Sequence, residues 1–217
     1  MIRLYLVRHG ETDGNVNRWY QGTTDIPLNE RGRAQAKALS QYFASIPFTA
    51  IYSSTLSRAK ETAEIVAAPH GLEVQPYAEL SEINFGAWEG HTYEEIQQLW
   101  PGEIDAFYRS HGTQRATGGE SFCDVKERTV AKIHELMQQH HDGDQVMIAS
   151  HGASIRCMLF GLLDLEMSRI WRFQQYNTAY NIIEYYGQRN VATLINGIAH
   201  LEGTTGCQTN WTNTNRL

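Results

Sequence analysis

Residues 2–10 read Ile2-Arg3-Leu4-Tyr5-Leu6-Val7-Arg8-His9-Gly10, and this stretch decides the fold. Ile2 to Val7 is a short apolar run rich in strand formers, as expected of a strand buried inside a sheet, and it ends on Arg8-His9-Gly10. Open α/β sheets present ligands in this way, with polar residues delivered at the carboxyl ends of buried strands. Arg3 interrupts the run and Arg8 closes it, so Met1 to Val7 lacks the charged region, long apolar stretch and cleavage site of a signal peptide. No run approaches the length of a membrane span.

Outward from this strand the pattern alternates. Asn29 is placed to cap a helix carrying Leu39, Tyr42, Phe43 and Ile46 at helical spacing, which Pro47 stops. Ala50 to Ser53 reads as a second strand. Leu56, Ala59, Ala63 and Val66 then fall on one helical face before Pro69-His70-Gly71. A third strand is expected over Glu73 to Tyr77, and Thr92 with Glu95 forms a capping box for a helix to about Trp100. The stretch from Glu120 to His140 is helical in period. The turn Asp142-Gly143-Asp144 leads into Gln145 to Ser150, a fourth apolar strand closed by His151-Gly152 as the first is closed by His9-Gly10. After a helix through Leu163, Thr178 to Tyr186 and Val191 to Ile195 flank Gly187 as an edge hairpin. The expected fold is α/β, a three-layer sandwich with a mostly parallel central sheet and helices on both faces. We expect one domain over residues 1–217, with a small cap insertion over about 79–118 and a polar tail from about 203 to 217.

Composition narrows the function classes. Eighteen Lys and Arg against 24 Asp and Glu give a net charge of -6, which argues against nucleic acid or an anionic membrane as partner. An anionic ligand must then be held by local positive charge. Cys123, Cys157 and Cys207 are odd in number and far apart, which suits a reducing, cytoplasmic setting rather than a disulfide framework. His134, His140 and His141 follow no metal-ligand pattern and read as a solvated face, and Asp142 to Asp144 reads as a turn rather than a calcium loop. No metal and no cofactor is expected.

The chemistry available is phosphoryl transfer. An imidazole is a competent nucleophile at neutral pH, and a phosphoryl group moved in line needs its equatorial oxygens held by fixed positive charge and N–H donors. Arg8, Arg58 and His151 can supply that clamp, since the arginine fork binds phosphate oxygens in a bidentate way and keeps its proton. The attacking ring needs its other nitrogen protonated and bonded to a backbone carbonyl.

Leu6-Val7-Arg8-His9-Gly10-Glu11-Thr12 resembles the signature of the histidine phosphatase (phosphoglycerate-mutase-like) superfamily. The resemblance continues through Asn15, the segment from Gln21 to Gly32, the run from Ser53 to Ala63, Glu82 within Leu80 to Gly90, and Ser150-His151-Gly152, in the family's order and over most of residues 1–200. It implies that His9 is phosphorylated and that His151 donates to the phosphate in the transition state. It implies Glu82 as general acid and then base, protonated near neutral pH with Phe85 and Trp88 around it. Asn15 and the Gln21-Gly22-Thr23 turn are implied as further phosphate or substrate contacts.

Within the family, Ser81 to Gly90 is similar to the broad-specificity and α-ribazole phosphatases rather than to the mutases, which carry an inserted basic segment after the glutamate. Between Glu82 and Gly119 this chain has only Arg109 and Arg115. The expected function is therefore a metal-independent phosphatase acting on a small phosphorylated metabolite. The alternatives are a 2,3-bisphosphoglycerate-dependent phosphoglycerate mutase and, in another class, a non-catalytic module that binds phosphorylated ligands. A homodimer is an open option.

Overall fold

The computed structural model describes residues 1–202, so the polar tail expected over 203–217 lies outside the described residues. A six-stranded sheet is built from β1 (Ile2–Arg8), β2 (Ala50–Ser54), β3 (Val74–Tyr77), β4 (Gln145–Ser150), β5 (Tyr180–Tyr185) and β6 (Val191–Gly197) in the order β3-β2-β4-β1-β5-β6. The first four are parallel, and β5 and β6 continue the sheet antiparallel beyond β1. This is the expected three-layer α/β architecture, with the hairpin at the edge.

Alternation along the strands sorts the core into two layers. Leu4 and Leu6 of β1, Tyr52 of β2, and Val146 and Ile148 of β4 pack on one face with α6 (Phe122–Met137) and α7 (Gly152–Leu162). Tyr5 and Val7, Ile51, and Met147 and Ala149 point to the other face, against α2 (Glu30–Phe43) and α3 (Ser57–Ala67). Strands buried on both faces are near-continuous apolar runs for this reason.

Helix ends follow local chemistry. The Asn29 side chain accepts from the Gly32 N–H to start α2, Thr92 and Glu95 form the expected capping box of α4 (Tyr93–Leu99), and Ser121 with Asp124 forms another for α6. The spacing overran two helices. α2 ends at Phe43, with Tyr42 exposed, and Leu56 precedes α3 as its cap rather than lying on its buried face. The segment expected to be a cap contains α4 and α5 (Glu103–Arg109), whose Ile96, Ile104 and Phe107 join the α6/α7 core, with Phe107 and Phe122 ring centroids 4.8 Å apart.

His134 and His140 are not on a solvated face. His134 Nδ1 lies 2.6 Å from the Tyr185 hydroxyl, and His140 bridges the Tyr52 hydroxyl at 2.8 Å and Asp144 at 3.3 Å. Only His141 is exposed as expected, because helical period does not reveal which polar positions meet tyrosines from the sheet.

Candidate active site

The site stands where the parallel sheet changes direction. The chain leaves β1 for β2 on one side and leaves β4 for β5 on the other, which opens a crevice at the carboxyl ends of these neighbouring strands. The register pairs Arg8 with Ser150, and the His9 N–H donates to Ser150 O at 3.0 Å, so His9 and His151 emerge side by side. Their ring centroids are 5.1 Å apart and both side chains are buried.

His9 is held in one orientation. Its Nδ1 lies 2.7 Å from Gly10 O, which makes Nδ1–H the donor and leaves Nε2 with a free lone pair. The His9 carbonyl in turn accepts from the Thr178 N–H at 3.2 Å and from Asn177 Nδ2 at 3.1 Å. Thr178, a β-branched residue, takes φ +55° at this point, strain of the kind concentrated at functional sites. Behind His9, a Cβ on Gly10 would run into Gly32 O, and one on Gly32 would run into Glu11 O. The glycines let the loop after β1 lie directly on the first turn of α2.

Two guanidinium groups flank the histidines. Arg8 Nη1 donates to Gln175 O at 2.6 Å, and the Gln175 and Asn181 side-chain amides bond each other reciprocally beneath it. Arg58 is 1% exposed, a burial that its place in the first turn of a helix does not suggest. It donates to Thr24 O at 2.9 Å and Gly22 O at 2.7 Å. Among the described residues Arg8 Nε, Arg58 Nε and both ring nitrogens of His151 are buried without a hydrogen-bond partner. Buried donors without partners are costly, and here they gather around one crevice.

Glu82 is delivered by the loop after β3. Its Oε1 accepts from the Ile83 and Ser154 N–H groups, each at 3.0 Å, and its Oε2 accepts from the Ala153 N–H at 3.2 Å. The Ser154 hydroxyl lies 3.1 Å from Oε1 and 2.7 Å from Ser81 O. The carboxyl group thus sits against the first turn of α7, fixed in place by backbone N–H groups. This corrects the apolar surroundings expected from Phe85 and Trp88, whose rings pack instead against Tyr20 and Phe107. The other candidate acids separate cleanly: Glu79 pairs with Lys132 at 3.5 Å, and Glu89 takes the N–H and hydroxyl groups of Thr23 and Thr24.

Burial and charge set the protonation states. Burial first, then Arg58 and Arg8, holds His9 well below the ordinary imidazole value, against the pull of the Gly10 carbonyl. His151 is held well below it as well, by burial, then Arg58, His9, Arg8 and Arg128. Arg8 is pulled down to about 10, by burial and then by Arg156, with Glu82 acting the other way. Both rings are therefore neutral between fixed positive charges.

Of the remaining expected contacts, Asn15 reaches the crevice. Its Oδ1 accepts from Asn177 Nδ2 at 3.0 Å and caps α1 (Asp13–Val16) with Thr12. The Gln21-Gly22-Thr23 turn meets the site through backbone, since Gln21 Oε1 accepts from the Thr12 hydroxyl, the Gly22 carbonyl holds Arg58, and Thr23 turns to Glu89. Sequence reasoning missed Asn177, Gln175, Arg128 and Arg156. Arg128 donates to the carbonyls of Glu79, Ser81 and Glu82 and so ties the loop that carries Glu82 to α6. Its only sequence signal is a charge amid the helical period of α6. Among the described residues no group of His, Cys, Asp or Glu is spaced to hold a metal ion, and no helix is long and apolar enough to cross a membrane.

Two neutral imidazoles thus stand between guanidinium groups at the ends of parallel strands, an arrangement able to hold an anion. The histidine phosphatase superfamily (branch 1) matches residues 4–197, and the chain belongs to that family. It is 34% identical over 201 residues to phosphoserine phosphatase 1 of Hydrogenobacter thermophilus, covering 93% of this chain and 95% of that one. It is 32% identical to a probable phosphoglycerate mutase of Salmonella choleraesuis, covering 85% and 86%. Among solved structures it resembles the phosphoserine phosphatase of Entamoeba histolytica in complex with phosphoserine, at a TM-score of 0.84 and 32% identity, covering 93% of this chain and 100% of that one.

Proposed function

We propose that this chain is a metal-independent phosphatase that hydrolyses small phosphomonoesters through a phosphohistidine on His9. The observation that carries the reading is the Nδ1 contact to Gly10 O, which leaves Nε2 of a neutral, buried ring free to attack phosphorus between Arg8, Arg58 and His151. In the first step the N–P bond forms and the ester P–O bond breaks, while Glu82 gives its proton to the leaving alkoxide. In the second, water attacks the phosphohistidine, Glu82 takes the water proton, and inorganic phosphate leaves with His9 restored. His151 donates one N–H to an equatorial oxygen throughout, which a neutral ring can do. Asn15 has its Nδ2 available for the same phosphate.

The relatives named as phosphoserine phosphatases make phosphoserine the first substrate to try, beside phosphoglycerates. The mutase alternative draws on the several relatives named as probable phosphoglycerate mutases, and it differs only in the acceptor of the second step. The test is phosphate release from a panel of small phosphomonoesters in EDTA, with 3-phosphoglycerate plus 2,3-bisphosphoglycerate alongside. Release in EDTA supports the proposal. Isomerisation without release would replace it with the mutase, and loss of release on chelation would remove metal independence.

A further inference from the structure

Arg156, just over one turn into α7, is a third guanidinium at this site and has no part in the chemistry above. It donates through Nε to Phe173 O at 2.6 Å and through Nη1 to Gly152 O at 3.2 Å. Its Cζ stands 5.5 Å from the centroid of the Trp171 ring, which fixes the plane of the group. It is close to the phosphate clamp, since a Cβ on Gly152 would lie 3.4 Å from Arg8 Nε and 3.7 Å from Arg156 Nη1. Burial pulls its pKa below the ordinary arginine value, with Glu82 and then Tyr108 acting in the other direction.

Arg8, Arg58 and Arg156 share one feature. Every hydrogen bond they make among the described residues is to a backbone carbonyl, and none pairs with a carboxylate. Positive charge without an acidic partner is costly inside a protein unless a ligand supplies the anion. A phosphate dianion offsets two of the three charges. Arg8 and Arg58 flank the histidines and take the dianion, so a proton on Glu82, which its acid role requires, leaves the charge of Arg156 without an anion. The wall beyond it is aromatic: Trp171 packs on Tyr108 at 4.7 Å, Tyr108 shares a short hydroxyl contact with Tyr20, and Tyr20 packs on Phe85 at 4.9 Å.

We propose that Arg156 is a specificity-determining residue that pairs with a carboxylate on the alcohol portion of the substrate, so that this enzyme prefers phosphomonoesters of small hydroxy acids or amino acids over uncharged alcohols. This rests on the phosphatase reading of the same site. The aromatic wall of Tyr20, Tyr108 and Trp171 limits the size of that alcohol, while Arg156 selects its charge. A charge-assisted hydrogen bond of this kind is worth ~10–100-fold in discrimination.

O-phosphoserine and O-phosphoethanolamine differ only in the carboxylate and form the decisive pair. Binding to His9→Ala is measured by calorimetry, and hydrolysis is measured in the otherwise intact enzyme, each with and without Arg156→Met. With Arg156 present, phosphoserine should bind and turn over ~10–100-fold better. Arg156→Met should erase that preference by weakening phosphoserine alone, leaving phosphoethanolamine within ~3-fold. Arg156→Lys retains a positive charge beside Trp171, so it should keep part of the preference, and it carries the test if the methionine variant does not fold. Preference unchanged in Arg156→Met, or equal loss of both esters, would overturn the assignment. Hydrolysis failing while the His9→Ala binding preference depends on Arg156 would sink the phosphatase reading and support the carboxylate site.

Discussion

The carboxylate of Glu82 accepts the N–H of Ser154 at 3.0 Å, three residues beyond His151 on the same helix. The candidate acid and the second histidine are therefore fixed to one rigid element, α7, although 69 residues separate them in the chain by number. Both oxygens of Glu82 face donors. In Glu82→Gln one of the Ala153, Ser154 and Ile83 N–H groups must confront the new amide NH2. Turnover should fall ~10²–10⁴-fold, with inorganic phosphate still binding. Steady-state rates and phosphate inhibition in the variant check this, and wild-type turnover would remove Glu82 from the mechanism.

His9→Ala should abolish turnover, because of the two site histidines only His9 has its tautomer fixed by a backbone carbonyl, Gly10 O, while neighbouring His151 serves as a donor. Acid-stable against base-stable label separates the cases. With a ³²P-labelled ester, wild-type protein quenched in base should retain acid-labile label and His9→Ala none. Label retained in the variant would move the phosphorylated residue elsewhere.

Gly10 and Gly32 lie back to back between the loop after β1 and α2. Gly10→Ala should destabilise the fold by ~1–3 kcal/mol, since its methyl meets a backbone carbonyl that cannot rotate away. Denaturant melts of Gly10→Ala against Gly143→Ala, where a Cβ meets nothing within 4 Å but φ is +93°, separate this clash from turn strain. Equal or smaller loss at Gly10 would contradict the packing argument.

Stability should fall as pH drops. His9 and His151 have folded-state values well below the ordinary imidazole value of 6.5. The unfolded chain therefore binds protons first. The stability these neutral rings contribute is intact above about pH 6.5 and is lost progressively below it, at up to ~1.4 kcal/mol per pH unit for each ring. Melting temperatures from pH 8 to 5 should decline below pH 6.5, and His9→Asn should decline less steeply. A parallel decline in both proteins would mean that His9 titrates normally.

Much of this was legible in the sequence because it depends on local order. Burial on both faces makes β1 and β4 continuous apolar runs, the cap chemistry of Asn29 and Thr92 is contained in a few residues, and His9-Gly10 and His151-Gly152 each stand directly after a strand. Helix ends were less legible. Ile46 continues the period of α2 past its last residue, Phe43, because an apolar side chain just beyond a helix packs on the same core.

What the sequence by itself determined is the alternation of strands and helices, the two histidines at strand ends and the family to which the chain belongs. Only the tertiary structure decided which carbonyl orients His9, that Arg58 is buried on the Gly22 and Thr24 carbonyls, that Glu82 faces the first turn of α7, that His134 and His140 meet tyrosines, and that Arg156 joins the site. The reason is physical. Periodicity records which side of an element is apolar, whereas these contacts join loops and helices far apart in the chain, and their partners are often backbone carbonyls, which every residue carries and no sequence pattern distinguishes.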